Sequence, residues 1–92
     1  MSDDELRRDG KMLIRVVSER TQLLPSSVLD SEDLVARCPL HPDLNSRALH
    51  VTPARALWYC FECQGGGDVI AFVQAVEGCT YREALDYLRA RS

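Results

Sequence analysis

The chain has 92 residues, of which 46% are hydrophobic and 27% are charged, and its formal net charge is −3. These values are typical of one small folded domain that spans residues 1–92, rather than of a disordered chain. The sequence has no apolar run near the ~20 residues that cross a membrane, and its acidic start is unlike a signal peptide. We therefore expect a cytoplasmic protein. The acidic balance does not indicate nucleic-acid binding, so any such surface must be local.

The amino-terminal third predicts a helix followed by short strands. Ser2 and Glu5 fit a capping box, so residues 1–10 either begin a helix or form a flexible polar segment. Residues 11–20 place apolar side chains at helical spacing, although their β-branched members also suit a strand. Short strands are then predicted at 21–25 and 33–38.

Residues 47–60 predict a β-hairpin with its turn at Pro53-Ala54. Successive side chains of a strand point to opposite faces of a sheet, so Trp58 and Tyr59 must face opposite ways. Because Tyr59 shares a face with the apolar Leu57, we expect Tyr59 to point inward and Trp58 outward.

Two helices are predicted to close the chain. Gly65, Gly66 and Gly67 fit neither a helix nor a strand comfortably, and Asp68 follows them as a helix N-cap. Gly78 suits the end of that helix. Thr80 and Glu83 form a capping box for the last helix.

Four potential metal ligands form two pairs with the same internal spacing. Cys38 and His41 are separated by two residues, as are Cys60 and Cys63, and eighteen residues separate the pairs. Two such pairs joined by a hairpin complete a tetrahedron of thiolate and imidazole ligands, which zinc prefers. Four protein ligands leave no position for water, so we expect one structural Zn²⁺ rather than a catalytic one.

Other uses of these residues remain open. Cys60 and Cys63 alone suit a thiol-redox pair, but that interpretation leaves Cys38 and His41 unexplained. His50 is a possible replacement ligand for His41 that lacks its spacing, and a surface position is favoured. Cys79 is expected to be a small apolar filler.

The predicted site would carry a formal charge of about −1, from three thiolates and one neutral imidazole. Arg37 and Arg55 have two alternative roles in this region. They either offset the charge of the site or contact phosphate groups, and the sequence favours neither role.

A longer pattern surrounds the ligands. "CPLH" at 38–41 and "CFECQGGGDVIAF" at 60–72, followed by Tyr81, Glu83 and Ala84, resemble the zinc-binding domain of bacterial DnaG-type primases. The resemblance covers residues 13–90. It implies an α+β fold, with a small zinc-ribbon antiparallel β-sheet flanked by an N-terminal helix and two C-terminal helices.

The resemblance also implies that the exposed face of the sheet binds single-stranded DNA as template. Phosphate contacts would come from arginines and base stacking from aromatic rings; the candidates are Arg37, Arg47, Arg55, Trp58 and Phe61. Residues 42–51, "PDLNSRALHV", depart from the family pattern, since they lack its lysine and have Leu49 in place of a phenylalanine.

The chain contains no cluster of carboxylates that would hold metal ions for nucleotidyl transfer, so we expect it to be non-catalytic alone. The leading hypothesis is a template-binding module that acts in trans with a primase catalytic domain, a polymerase or a replicative helicase. Such a separate module would suit a phage, plasmid or other mobile element. The alternative is a zinc ribbon that docks onto a replication or transcription complex without touching DNA, which the acidic charge favours.

Overall fold

The computed structural model describes residues 3–25, 33–39, 48–62 and 64–91. These residues form an α+β fold, in which five antiparallel strands lie side by side in chain order and helices pack on one face of the sheet. The helices are α1 (Asp3–Arg7), α2 (Gly10–Ser18), α3 (Val69–Glu77) and α4 (Tyr81–Arg89). The strands are β1 (Leu24–Pro25), β2 (Leu34–Ala36), β3 (Leu49–Thr52), β4 (Leu57–Cys60) and β5 (Gly65–Gly67). A short 3-10 turn, Pro53–Arg55, joins β3 to β4.

The amino-terminal segment is helical from Asp3 and packs into the core. Leu6 of α1 is completely buried, so this part of the segment is a helix rather than a flexible tail. Asp9 lies between α1 and α2 and caps α2, since its Oδ1 accepts a hydrogen bond from the Met12 amide at 3.0 Å. The prediction of a helix at 11–20 is confirmed, because α2 buries a stripe at helical spacing: Met12, Leu13, Val16 and Val17.

The hairpin of β3 and β4 is also confirmed, and its register separates two faces. Leu49 pairs with Cys60, and Val51 pairs with Trp58; these four residues are buried and face the helices. We call the opposite side, which none of the described helices covers, the outer face; in β3 and β4 it is formed by His50, Thr52, Leu57 and Tyr59, with Phe61 just beyond the end of β4.

The predicted orientations of Trp58 and Tyr59 are wrong. Trp58 is only 6% exposed, its indole Nε1 donates a hydrogen bond to the Asp68 carbonyl oxygen at 2.7 Å, and its ring meets Phe72 edge-on. Tyr59 and Leu57 are 42% and 43% exposed. The bulky indole fills the core and finds a partner for its N–H there, so the apolar Leu57 is left on the outer face.

The expectation that the three glycines avoid regular structure is wrong as well. Residues 65–67 form β5 and pair with β4, with Gly66 opposite Tyr59. A Cβ atom at Gly66 would collide with the carbonyl oxygen of Trp58. Glycine is therefore required at this position, where the backbones of β5 and β4 approach closely.

The two C-terminal helices follow the prediction. Asp68 caps α3, Gly78 ends it with a left-handed backbone (φ 63°), and Thr80 with Glu83 forms the capping box of α4. Both helices contribute buried apolar residues to the core; examples are Ile70, Phe72, Val73, Leu85 and Leu88. Within the described ranges, every helix is too short to cross a membrane.

Asp68 connects three parts of the fold. Its Oδ1 accepts from the Ala71 amide of α3 at 2.9 Å, and its Oδ2 lies 3.6 Å from Nε of Arg7 in α1. Its carbonyl oxygen accepts from the Trp58 indole of β4 at 2.7 Å. The residue therefore positions α1 and β4 relative to the start of α3.

Replacement of Asp68 separates the contributions of its carboxylate. Asp68→Ala removes the cap and is expected to lower the free energy of unfolding by about 1 kcal/mol. Asp68→Asn keeps a capping oxygen and loses only the partly exposed pair with Arg7, so a loss below about 0.5 kcal/mol is expected. Urea denaturation at saturating zinc measures both values, and equal losses in the two variants would contradict the capping role.

The capping box of α4 should make stability depend on pH. Hydrogen bonds from the Thr80 amide and hydroxyl lower the pKa of Glu83 below its usual value of 4.5. The folded state therefore favours ionised Glu83, and this contribution is present at neutral pH and is lost as pH falls through the lowered pKa. The wild type should thus be more stable than Glu83→Gln at neutral pH, with a difference that shrinks below about pH 4. Denaturation of both proteins across this range tests it, and a constant difference would contradict it.

Candidate metal centre and outer sheet face

Cys38 and Cys60 lie at the same end of the sheet. β2 ends at Ala36, two residues before Cys38, and β4 ends at Cys60. Ala36 and Cys60 both pair with Leu49, the first residue of β3. β2 and β4 therefore end at the same level, on the two sides of β3. Topology therefore brings the first cysteine of each predicted pair to one edge of the fold.

The two cysteines suit a metal centre held within the fold. Cys38 is 2% exposed, Cys60 is fully buried, and both belong to the core cluster. Neither forms a disulfide. Thiolates are ligands that zinc prefers, and burial excludes competing water. The other two predicted ligands, His41 and Cys63, lie outside the described residues.

His50 and Cys79 lie away from this centre. His50 belongs to the outer face, whereas Cys38 and Cys60 belong to the core on the opposite side of the sheet. Cys79 lies between α3 and α4, where it is half-buried against the core and its Sγ is 3.9 Å from the Val73 carbonyl oxygen. The expectations of a surface histidine and a small apolar filler are confirmed.

The outer face carries a cluster of three aromatic rings, His50, Tyr59 and Phe61. The His50 and Phe61 rings are 4.6 Å apart and meet edge-on, and the Tyr59 and Phe61 rings are 5.1 Å apart at 73°. Phe61 is 59% exposed and Tyr59 is 42% exposed. We call these residues the aromatic cluster; it presents ring surface to solvent on the side of the sheet opposite the described helices.

A groove of about 480 Å³ runs beside the aromatic cluster, and we call it the outer-face groove. Its walls include Arg55, Leu57 and Tyr59, and its floor includes Gly66. Because Gly66 has no side chain, the Tyr59 ring is open on this side. The guanidinium of Arg55 has no ion-pair partner among the described residues.

The other predicted nucleic-acid contacts have different positions. Arg37 is exposed just after β2, and with Thr21, Gln22 and Leu24 it lines a smaller groove of about 280 Å³. Arg47 lies outside the described residues. Trp58 is in the core, so its face is not available for stacking on a base, and its prediction as a contact is wrong.

The sequence reasoning missed Tyr59 as an exposed ring. A usable signal was present, because Cys60 and Trp58 are two residues apart and must share a face. A buried metal ligand at Cys60 places Trp58 inside and therefore Tyr59 and Phe61 outside. The apolar character of Leu57 led instead to the wrong prediction that Tyr59 points inward and Trp58 outward.

A small antiparallel sheet with buried cysteines at one end and helices on its inner face defines a zinc-ribbon type of domain. A family model described as "CHC2 zinc finger" matches residues 4–92. The chain belongs to this family of zinc fingers of DnaG-type primases.

Individual relatives agree with this assignment. The chain is 33% identical over 94 residues to a DNA primase of Streptomyces coelicolor, a match that covers all of this chain and 14% of that protein. A DNA primase of Thermotoga maritima is 40% identical over 57 residues, which cover 62% of this chain and 10% of that protein. The chain thus spans about a seventh or less of the length of such relatives.

A solved structure has the same fold. The crystal structure of the zinc-binding and RNA polymerase domains of the Aquifex aeolicus primase is similar with a TM-score of 0.78 and 36% sequence identity. The match covers 99% of this chain and 22% of that one. The predicted α+β fold with a small antiparallel sheet and flanking helices is therefore confirmed.

Proposed function

We propose that this domain binds single-stranded DNA on its outer face and presents it as template for primer synthesis. The observation that carries the proposal is the aromatic cluster beside Arg55, on the face of the sheet that lies opposite the described helices. Unpaired bases stack on exposed aromatic rings, and a neighbouring guanidinium neutralises the backbone. Kinship with DNA primases supports the same role.

The position of Arg55 favours a phosphate contact over compensation of the metal centre. Arg55 precedes β4, whereas Cys60 is the last residue of that strand. Leu57 and Cys60 are about 10 Å apart along the strand, at about 3.3 Å per residue. Arg55 therefore lies at the opposite end of β4 from the thiolates. Arg37, which is next to Cys38 in the sequence, is the arginine better placed to offset their charge.

We propose that Cys38, His41, Cys60 and Cys63 hold one structural Zn²⁺. The ion would close the end of the sheet where β2 and β4 finish, by connecting the two cysteines that the fold already buries there. Zinc in such a site supplies folding free energy rather than chemistry. The protein's own contribution would be to bury Cys38 and Cys60 and to fix their separation through the pairing of β3 with both β2 and β4.

The proposed role is non-catalytic and depends on a polymerase domain or a replicative helicase as partner. The aromatic cluster and Arg55 bind and orient a strand, but the described residues contain no group of three or more carboxylates, cysteines or histidines that would hold catalytic metal ions. Reduced cytoplasm is the compartment that suits three zinc-bound thiolates.

A second candidate function is docking onto a protein of the replication or transcription machinery. Leu57 is 43% exposed and lies near the aromatic cluster, and Leu24 is 39% exposed and lies near Arg37. An apolar face of this kind suits a protein contact as well as a base.

Metal removal tests the proposed ligand set. Zinc is expected at one ion per chain, and Cys60→Ser should lose it together with the cooperative unfolding transition, because zinc binding is coupled to folding. Cys79→Ser is the matched control and should keep both. His41→Ala should lose zinc, whereas His50→Ala should keep it. Metal analysis and circular dichroism measure these outcomes, and a zinc-free protein that still unfolds cooperatively would contradict the proposal.

Binding of single strands tests the proposed function. Tyr59→Ala and Phe61→Ala should each weaken binding to a single-stranded oligonucleotide by about 1–3 kcal/mol, through loss of stacking on a base. Arg55→Gln should lower the slope of log affinity against log salt concentration by about 0.7, the value of one phosphate contact. Fluorescence anisotropy at several salt concentrations measures both effects.

Tyr81→Ala is the matched control, because Tyr81 is an exposed tyrosine on α4 and does not line the outer-face groove. It should leave the affinity unchanged. A wild-type protein that binds no single strand at low salt would overturn the DNA proposal. If the wild type nevertheless binds a polymerase or helicase and Leu57→Ser does not, the docking function is favoured.

A further inference from the structure

A second groove adjoins the outer-face groove across the Pro53–Arg55 turn. It has a volume of about 340 Å³ and lies between this turn and the junction of α1 with α2. Pro53 and Ala54 line it on one side, and Arg8, Asp9, Gly10, Lys11 and Ile14 line it on the other. Arg55, the last residue of the turn, lines the outer-face groove instead. The turn is thus a narrow ridge between the two grooves.

The ridge is held closely against α2. A Cβ atom at Gly10 would collide with the backbone carbonyl of Pro53, so the first turn of the helix touches the 3-10 turn directly. Arg55 on one side of the ridge is therefore separated from Arg8 and Lys11 on the other only by this turn.

Both grooves present cations whose charge is not neutralised. Within the described ranges, Arg8, Lys11 and Arg55 have no ion-pair partner. The arginines on the helical side are different, because Arg20 pairs with Glu77 and Arg91 pairs with Glu19. Arg8, Lys11 and Arg55 thus lie around the ridge without the acidic partners that Arg20 and Arg91 have.

The carboxylates near the second groove are largely engaged. Asp9 caps α2 through the Met12 amide, which directs its charge to the helix amino terminus. Asp4 lies 3.7 Å from Arg7 in α1. Arg8 and Lys11 thus outnumber the single carboxylate that lines this groove, and the groove is suited to an anionic chain.

We propose that a single strand bound on the outer face continues over the Pro53–Arg55 ridge and that its next phosphates bind Arg8 and Lys11. This inference rests on the proposed function and extends its binding path. The second groove contains no aromatic ring among its described lining residues, so it contacts the backbone and is indifferent to base identity. The domain would then read bases on the sheet and hold the flanking strand at the helix junction.

Oligonucleotide length separates the two parts of the path. Oligothymidylates from about 4 to about 16 nucleotides cover the usual range of single-strand site sizes. The double variant Arg8→Gln and Lys11→Gln should bind the shortest strands like the wild type. For the longest strands it should bind more weakly, and its slope of log affinity against log salt should be smaller by about 1.4, because two phosphate contacts are lost.

Arg82→Gln is the control, since Arg82 is an exposed cation of α4 that lines neither groove. It should leave the length dependence unchanged. Zinc content and circular dichroism establish that each variant is folded. Equal slopes for the double variant and the wild type on the longest strand would overturn the extended path and leave the proposed function intact if Tyr59→Ala still weakens binding. Absence of binding by the wild type at every length would overturn both.

Discussion

The alternation of side chains along β4 governs the arrangement of the whole domain. Cys60 and Trp58 point to the helices, and this single parity commits Tyr59 and Leu57 to the opposite face. The pairing of Cys60 with Leu49 fixes the parity, since a shift by one residue would expose the cysteine and the indole together. The candidate metal centre and the proposed DNA surface therefore lie on opposite sides of the same strand.

The helices are connected to this strand through a small number of polar contacts. The Trp58 indole binds the carbonyl oxygen of Asp68, and the side chain of Asp68 caps α3 and reaches Arg7 of α1. In a domain of this size the apolar core alone provides modest stability, so the proposed metal at one end and a polar junction at the other would have complementary roles. The outer face presents the rings of Tyr59 and Phe61, which the core does not bury.

Local features of the sequence were sufficient for most of the elements. The caps at Asp68 and Thr80 act within one helical turn, so the sequence around them predicts both C-terminal helices. The paired cysteines and the segment that follows them pointed to the family. The orientation of Trp58 was not predictable from Leu57, because it depends on the register with β3 and on space between the helices. The strand at 65–67 was missed for a different reason: its partners in β4 are only five to nine residues away, but its glycines have no intrinsic preference for a sheet.

The two borders of the sheet have consequences for association. Within the described residues, β1 has two residues, Leu24–Pro25, and β5 has three, so each border strand offers few backbone groups there to a strand from another molecule. Short borders and proline are devices that hinder edge-to-edge aggregation. They matter here because the neighbouring surface exposes Leu57 and Phe61, apolar residues whose burial would favour such aggregation. The domain can thus expose an apolar surface to a ligand while the edges of its sheet hinder the addition of strands from other molecules.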